Sequence, residues 1–356
     1  MIVNCRGSFI MSGMDVAKLP GGWAQAVETV DYHTAGEPFR IVTAGVPPVP
    51  GANVLERRDY AQRHLDACRR LLVFEPRGHA DMYGCFVVPP DDDGALLGTL
   101  FFHNAGFSTA CGHGTIALAT WAADTGLVRP DGAAETAVAI DVPSGRVQAR
   151  IRWDDGRADA VVFRNVPSFV LERGARVGTG AGEVGVDIAF GGAYYASVEA
   201  SEVGLAVRPG NVTALIALGR EIKQRLNDRR AAEHPDEPRL SGIYGVTFTE
   251  TVASAPDGLH QRSLTVFADG EVDRSPCGSG TSARLALLDA SGDLAPGAPL
   301  RHESVIGTVF TARVAERVTA HGRPAVITEV EGRAFRTGEH RFVLDPRDEL
   351  GPGFLL

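Results

Sequence analysis

Short apolar runs separated by Gly, Pro and Asp dominate the chain. Strand-type runs fall at 39–43, 83–88, 97–103, 137–142, 146–153, 160–163, 184–189, 194–198, 263–268 and 325–330. Tight turn sequences between them, such as Pro143-Ser144-Gly145, predict a largely antiparallel sheet. Four segments read as helices. The segment 58–72 carries an apolar stripe at Ala61, Leu65, Cys68 and Leu72, the spacing of one buried helix face. The segment 211–229 places Leu215, Ile222 and Leu226 opposite charged residues, the pattern of an amphipathic surface helix. Two more helices follow Cys111 and Cys277, and their centres, 116–123 and 283–288, are apolar nearly all round. Such a helix has no face for water and must be buried.

The last two helices repeat one another. Cys111-Gly112-His113-Gly114-Thr115-Ile116-Ala117 and Cys277-Gly278-Ser279-Gly280-Thr281-Ser282-Ala283 share the pattern C-G-x-G-T-x-A. Each meets a glycine 15 residues after its cysteine, Gly126 and Gly292, natural C-terminal stops. The same start, body and stop predict a duplicated α/β unit with one buried helix per copy. With 356 residues, the chain has room for about two domains at ~150 residues each. The division falls within 155–167: a first domain of 25–160 plus 335–356 carrying Cys111, and a second of 161–334 carrying Cys277. Residues 1–24 read as a poorly ordered extension without the apolar core of a signal peptide.

Composition adds exclusions. Hydrophobic residues are 44% and charged residues 22%, the mix of an ordinary globular protein. A formal charge of -9 gives no basic footprint for nucleic acid, and no apolar run approaches the ~20 residues that span a bilayer. Five scattered cysteines make neither a disulfide framework nor a CxxC metal site, so a reducing cytoplasm is expected. Cys5, Cys68 and Cys85 read as small buried hydrophobes. Cys111 and Cys277 differ, because each sits at a glycine-flanked helix start, where unpaired N–H groups converge and the helix dipole favours an anion. That setting is expected to favour the thiolate.

If the two copies face each other, two thiols and two sets of amides share a cleft. The amides suit a carboxylate, with a sulfur on each side of its α-carbon. Charge that builds up when the α-proton leaves is then met by preorganised donors. One thiolate takes the proton and the opposite thiol returns one, inverting the centre with no metal or organic cofactor required.

At these residues the chain resembles the proline racemase family. The signatures are Cys111-Gly112-His113-Gly114 and Asp273-Arg274-Ser275-Pro276-Cys277-Gly278-Ser279-Gly280-Thr281-Ser282-Ala283. Supporting segments include His33-Thr34-Ala35-Gly36-Glu37-Pro38, Phe74-Glu75-Pro76-Arg77-Gly78-His79, His103-Asn104, 187–195 and Ile306-Gly307-Thr308-Val309-Phe310, and the likeness runs from about 27 to 356. The resemblance implies a diaminopimelate-epimerase-like fold of two pseudo-symmetric α/β domains around central helices, with the active site in the cleft. It implies Cys111 and Cys277 as the exchanging bases, and carboxylate binding by the backbone amides of Gly112, His113, Gly278 and Ser279. It also implies contact of Asp273 with the ring nitrogen of proline or a hydroxyproline. The cysteine pair favours a 4-hydroxyproline 2-epimerase, whereas wider stretches at 74–84, 100–108 and 266–276 look more like trans-3-hydroxy-L-proline dehydratases. A binder of small carboxylates without catalysis is a third reading, and a homodimer is the ordinary expectation for oligomeric state.

Other features have blander readings. Gly180-Ala181-Gly182-Glu183-Val184-Gly185 fits G-x-G-x-x-G but runs into a strand-type segment, where a dinucleotide motif needs a helix. Glu37 and Glu75 each precede proline and read as turn residues. Phe107, Tyr194, Tyr195 and Phe267 are candidate walls for a pyrrolidine ring, with core packing an equal alternative.

Overall fold

The computed structural model describes residues 26–255, 258–345 and 347–356, so the expectation for 1–24 lies outside the described residues. The first half runs β1 (Ala26–Thr34), β2 (Glu37–Ala44), α1 (Val54–His64), α2 (Asp66–Val73), β3 (Tyr83–Val88), β4 (Leu97–His103), β5 (Gly106–Phe107), α3 (Gly112–Asp124), β6 (Glu135–Val142), β7 (Gly145–Asp154) and β8 (Arg157–Arg164). The second runs β9 (Phe169–Thr179), β10 (Gly182–Phe190), β11 (Tyr194–Glu199), α4 (Val212–Asp228), β12 (Ile243–Ala255), β13 (Gly258–Phe267), β14 (Glu271–Asp273), α5 (Gly278–Ser291), β15 (Leu300–Ser304), β16 (Val309–Ala320) and β17 (Arg323–Gly332). The chain then returns as β18 (Ala334–Val343).

Strand pairing repeats the duplication seen in the sequence. The order β18-β1-β2-β3-β4-β6-β7-β8 alternates as antiparallel, antiparallel, parallel, antiparallel, parallel, antiparallel, antiparallel. The order β9-β10-β11-β12-β13-β15-β16-β17 follows the same succession. The short strands β5 and β14 pair at equivalent places, on β4 and β13. The β8–β17 pairing joins the two runs into one mixed sheet. On this pattern we propose that the boundary between the units falls at 165–168, which keeps β8 with the first unit and returns β18 to it.

Each unit wraps its strands around one helix. Helix α3 packs on β1, β2, β7, β8 and β18, and α5 on β9, β10, β11, β16 and β17. Every residue of α3 from Gly112 to Ala122 is buried. Full burial of side chains such as Ile116 and Leu118 contributes roughly 1.5–3 kcal/mol each. Helix α5 is buried as completely from Gly278 to Leu288 except at Arg284, whose guanidinium reaches Gln261, Ser197 and Glu199 at 2.8–3.2 Å and so keeps its charge satisfied. Both predicted stops are present, with Gly126 at φ +72° and Gly292 at φ +77°, each accepting a left-handed turn that other residues resist.

The sequence predicts one helix over 58–72, but the structure breaks it at Leu65, whose ψ of 12° leaves the helical range. The stripe is nonetheless buried as a unit, since Ala61, Leu65, Cys68 and Leu72 are at most 2% exposed. The start also lies earlier than predicted, because Asn53 caps the helix by accepting the Glu56 N–H at 2.9 Å. The G-x-G-x-x-G segment supplies the Gly180-Ala181 turn of the β9–β10 hairpin and the first residues of β10, as its strand-like continuation predicts.

Candidate active site

The two buried helices meet end to end. Cys111 is the N-cap of α3, and its Sγ accepts the Gly114 N–H at 3.2 Å. Cys277 occupies the equivalent place before α5 with φ +63°, a left-handed conformation that costs a non-glycine residue about 1–3 kcal/mol. The turn before it is held by its own hydrogen bonds. Asp273 Oδ1 accepts both the Ser275 N–H at 2.8 Å and the Ser275 hydroxyl at 2.7 Å, and Ser275 Oγ accepts the Cys277 N–H at 3.1 Å. Gly112 and Gly278 face each other at the junction, where a Cβ on either would run into the other's backbone.

A narrow cavity forms where they meet. All seven residues singled out from the sequence line it: Cys111, Gly112, His113, Asp273, Cys277, Gly278 and Ser279. The first-turn amides of both helices have no carbonyl within their own helix to bond, and a carboxylate is the natural complement to such a cluster. Of the four candidate wall residues, Tyr195 and Phe267 line the cavity. Phe107 packs instead with Phe86 and Phe102, and Tyr194 with Phe169 and Phe190. Sequence reasoning missed Tyr83 and Tyr244, which complete the wall and bond to each other at 3.0 Å between hydroxyls. Each lies at the start of a strand, β3 or β12, and carries no local motif, so only the fold brings them together.

Each thiol has a polar neighbour. Both nitrogens of the His113 ring lie 3.4–3.5 Å from Cys111 Sγ, and Nδ1 is 3.8 Å from Asp273 Oδ2. Burial brings the His113 pKa down to about 3, so the imidazole is neutral and its approach to Asp273 is not an ion pair. On the other side the Tyr195 hydroxyl lies 3.7 Å from Cys277 Sγ and 2.7 Å from Ser279 Oγ. Both thiols differ from the sequence expectation. Burial pushes Cys111 and Cys277 well above the ordinary thiol range, and the nearby Asp273 carboxyl adds to it, outweighing the amides that favour a thiolate. Asp273 is itself raised by burial.

Residues 29–355 match the proline racemase family. The chain belongs to that family. It is 46% identical over 336 residues to a 3-hydroxyproline 2-epimerase of Burkholderia multivorans, covering 94% of this chain and 99% of the relative. It is 45% identical over 328 residues to a trans-3-hydroxy-L-proline dehydratase of Bacillus cereus, covering 92% and 97%. The crystal structure of a hydroxyproline epimerase from Agrobacterium vitis, solved with trans-4-hydroxy-L-proline bound, superposes with a TM-score of 0.86 at 35% identity over 93% of this chain and 96% of that one. The fold is therefore the diaminopimelate-epimerase-like one of the proline racemase family, and the protein is an enzyme of the epimerase or dehydratase kind.

Proposed function

We propose that this proline racemase family member epimerises hydroxyproline at its α-carbon by proton transfer between Cys111 and Cys277. The observation that carries the reading is that one cavity is lined by a cysteine from each of two abutting helix N-termini. The substrate carboxylate sits on the amides of Gly112, His113, Gly278 and Ser279, and Asp273 takes the ring nitrogen. One sulfur, as thiolate, accepts the α-proton, and the electron pair of the C–H bond passes into the carboxylate, where the amides meet the added charge. The other thiol delivers its proton to the opposite face. The two cysteines end with their protonation states exchanged, and no cofactor takes part.

The ring position is the finer question. The cysteine pair led the sequence reading to a 4-hydroxyl, but relatives at 44–46% identity bear the names of 3-hydroxyproline enzymes. They support 3-hydroxyproline as the substrate, with cis-3-hydroxy-D-proline as the product from the trans-L isomer. Dehydration is the second reading, favoured by those relatives' names and by the buried Tyr195 phenol beside Cys277. In that reaction the C2–H proton goes to a thiolate and the C3–O bond breaks. The hydroxyl leaves as water with a proton from an acid, and the resulting enamine tautomerises to a cyclic imine. Chiral chromatography of a reaction with trans-3-hydroxy-L-proline separates the two. The epimer as the main product supports the first reading; imine alone replaces it with the second.

A further inference from the structure

Glu37 reads from the sequence as a turn residue, but the structure places it at the seam between the two units. It opens β2 directly after the two-residue turn Ala35-Gly36, whose φ values are +53° and +93°. That turn is wedged against the second unit. A Cβ on Gly36 would meet Ile306 Cδ1 at 2.5 Å, and the Thr308 hydroxyl donates to the Ala35 carbonyl at 2.7 Å. Glu37 is fully buried there. Its Oε2 accepts the Arg274 N–H at 2.7 Å, and its Oε1 has no hydrogen-bond partner among the described residues.

Arg274 separates Asp273 from Ser275, in the loop that leads to Cys277. Two acidic side chains of the first unit hold that residue. Asp81 takes its guanidinium at 2.7 Å, and Glu37 takes its peptide N–H. The guanidinium contact is partly open to water, whereas the Glu37 contact is sealed. The charged groups facing Glu37 are Asp273, Arg274 and Asp81, and burial pushes the Glu37 carboxyl well above the carboxylate range.

We infer that Glu37 is the positioning residue for Asp273: it clamps the Arg274 peptide across the seam and thereby aims the Asp273 carboxylate at the substrate's ring nitrogen. The inference rests on the reading of Asp273 as the partner of that nitrogen. It predicts a selective effect, because only ligands with a basic ring nitrogen use Asp273, while any carboxylate uses the helix amides.

The test compares equilibrium binding of racemic proline with that of racemic tetrahydrofuran-2-carboxylate, which keeps the carboxylate and replaces the nitrogen by oxygen. Glu37→Ala is expected to weaken proline binding at least tenfold and to leave the oxygen ring within about twofold of the wild type. Glu37→Gln keeps an oxygen for the Arg274 N–H and is expected to restore most of the proline affinity. If Glu37→Ala does not fold, Glu37→Asp, one methylene too short to reach, carries the same expectation of selective loss. Equal loss of both ligands, or loss of neither, overturns the inference. A wild type that binds both rings alike overturns instead the reading of Asp273 on which it stands.

Discussion

Gly112 and Gly278 lie in contact across the seam, so that a Cβ on Gly112 would stand 2.6 Å from the Gly278 Cα, and one on Gly278 would stand 2.7 Å from the Gly112 Cα. Backbone faces backbone, and no side chain can rotate away to make room. Gly112→Ala or Gly278→Ala must therefore move the helix starts apart, at about 1–3 kcal/mol for overpacking. The expected outcome is a fall of at least 100-fold in kcat/KM with a melting temperature only a few degrees lower. Steady-state kinetics beside calorimetry checks it, and wild-type turnover in either variant would show that close approach is unnecessary.

In the proposed exchange each sulfur accepts the proton in one direction and donates it in the other. Cys111→Ser and Cys277→Ser should therefore each abolish epimerisation in both directions, with a loss on the order of 10³-fold or more, in the range of general acid–base contributions. Both variants should still bind pyrrole-2-carboxylate, a planar mimic of the deprotonated α-carbon, because the amides that hold its carboxylate are intact. A Ser variant that epimerises in one direction at the wild-type rate contradicts a two-thiol exchange.

Burial pushes both thiols up. Activity should accordingly still be rising above pH ~9, beyond the ordinary thiol range, with a limb that belongs to the cysteine pair and to neither residue alone. Stability runs the other way. A group whose folded pKa is raised contributes stability that is complete below its unfolded value, about 8.5 for a thiol, and is lost as pH rises above it. Melting temperatures measured from pH 7 to 10 should decline above pH 8.5, and the Cys111→Ala/Cys277→Ala double variant should decline less steeply.

His302 tests the acid side. It is buried behind α5, its Nδ1 lies 2.7 Å from Thr281 Oγ1, and burial lowers its pKa to about 3. A depressed pKa gives stability that is present above the unfolded value of about 6.5 and is lost as pH falls towards 3, at most about 1.4 kcal/mol per pH unit. His113 adds to the loss, while the raised carboxyls of Glu37 and Asp273 oppose it. The wild type should lose more melting temperature between pH 6.5 and 4.5 than His302→Gln. Equal slopes would mean that His302 takes up its proton alike in the folded and unfolded protein, against a depressed pKa.

The parts of the fold that could be read from sequence were those fixed by local chemistry. The paired C-G-x-G-T-x-A segments located both buried helices and their stops, since burial on all sides forces an all-round apolar pattern and a left-handed stop selects glycine. Both cysteines, their flanking amides and Asp273 came from the same segments and lie on one cavity. What escaped was non-local. Tyr83 and Tyr244 meet across the seam from strands 161 residues apart, and Glu37 reaches Arg274 across 237. The thiol pKa was misjudged for a related reason: helix position is visible in sequence, whereas the depth of burial that outweighs it depends on the opposite unit closing over the site.

The most direct test of the account follows trans-3-hydroxy-L-proline by proton NMR in D₂O with the wild type and both Cys→Ser variants. The account predicts loss of the α-proton signal and growth of α-deuterated cis-3-hydroxy-D-proline in the wild type, with neither change in the variants. An unchanged α-proton signal for this substrate, for its 4-hydroxy isomer and for proline would contradict it.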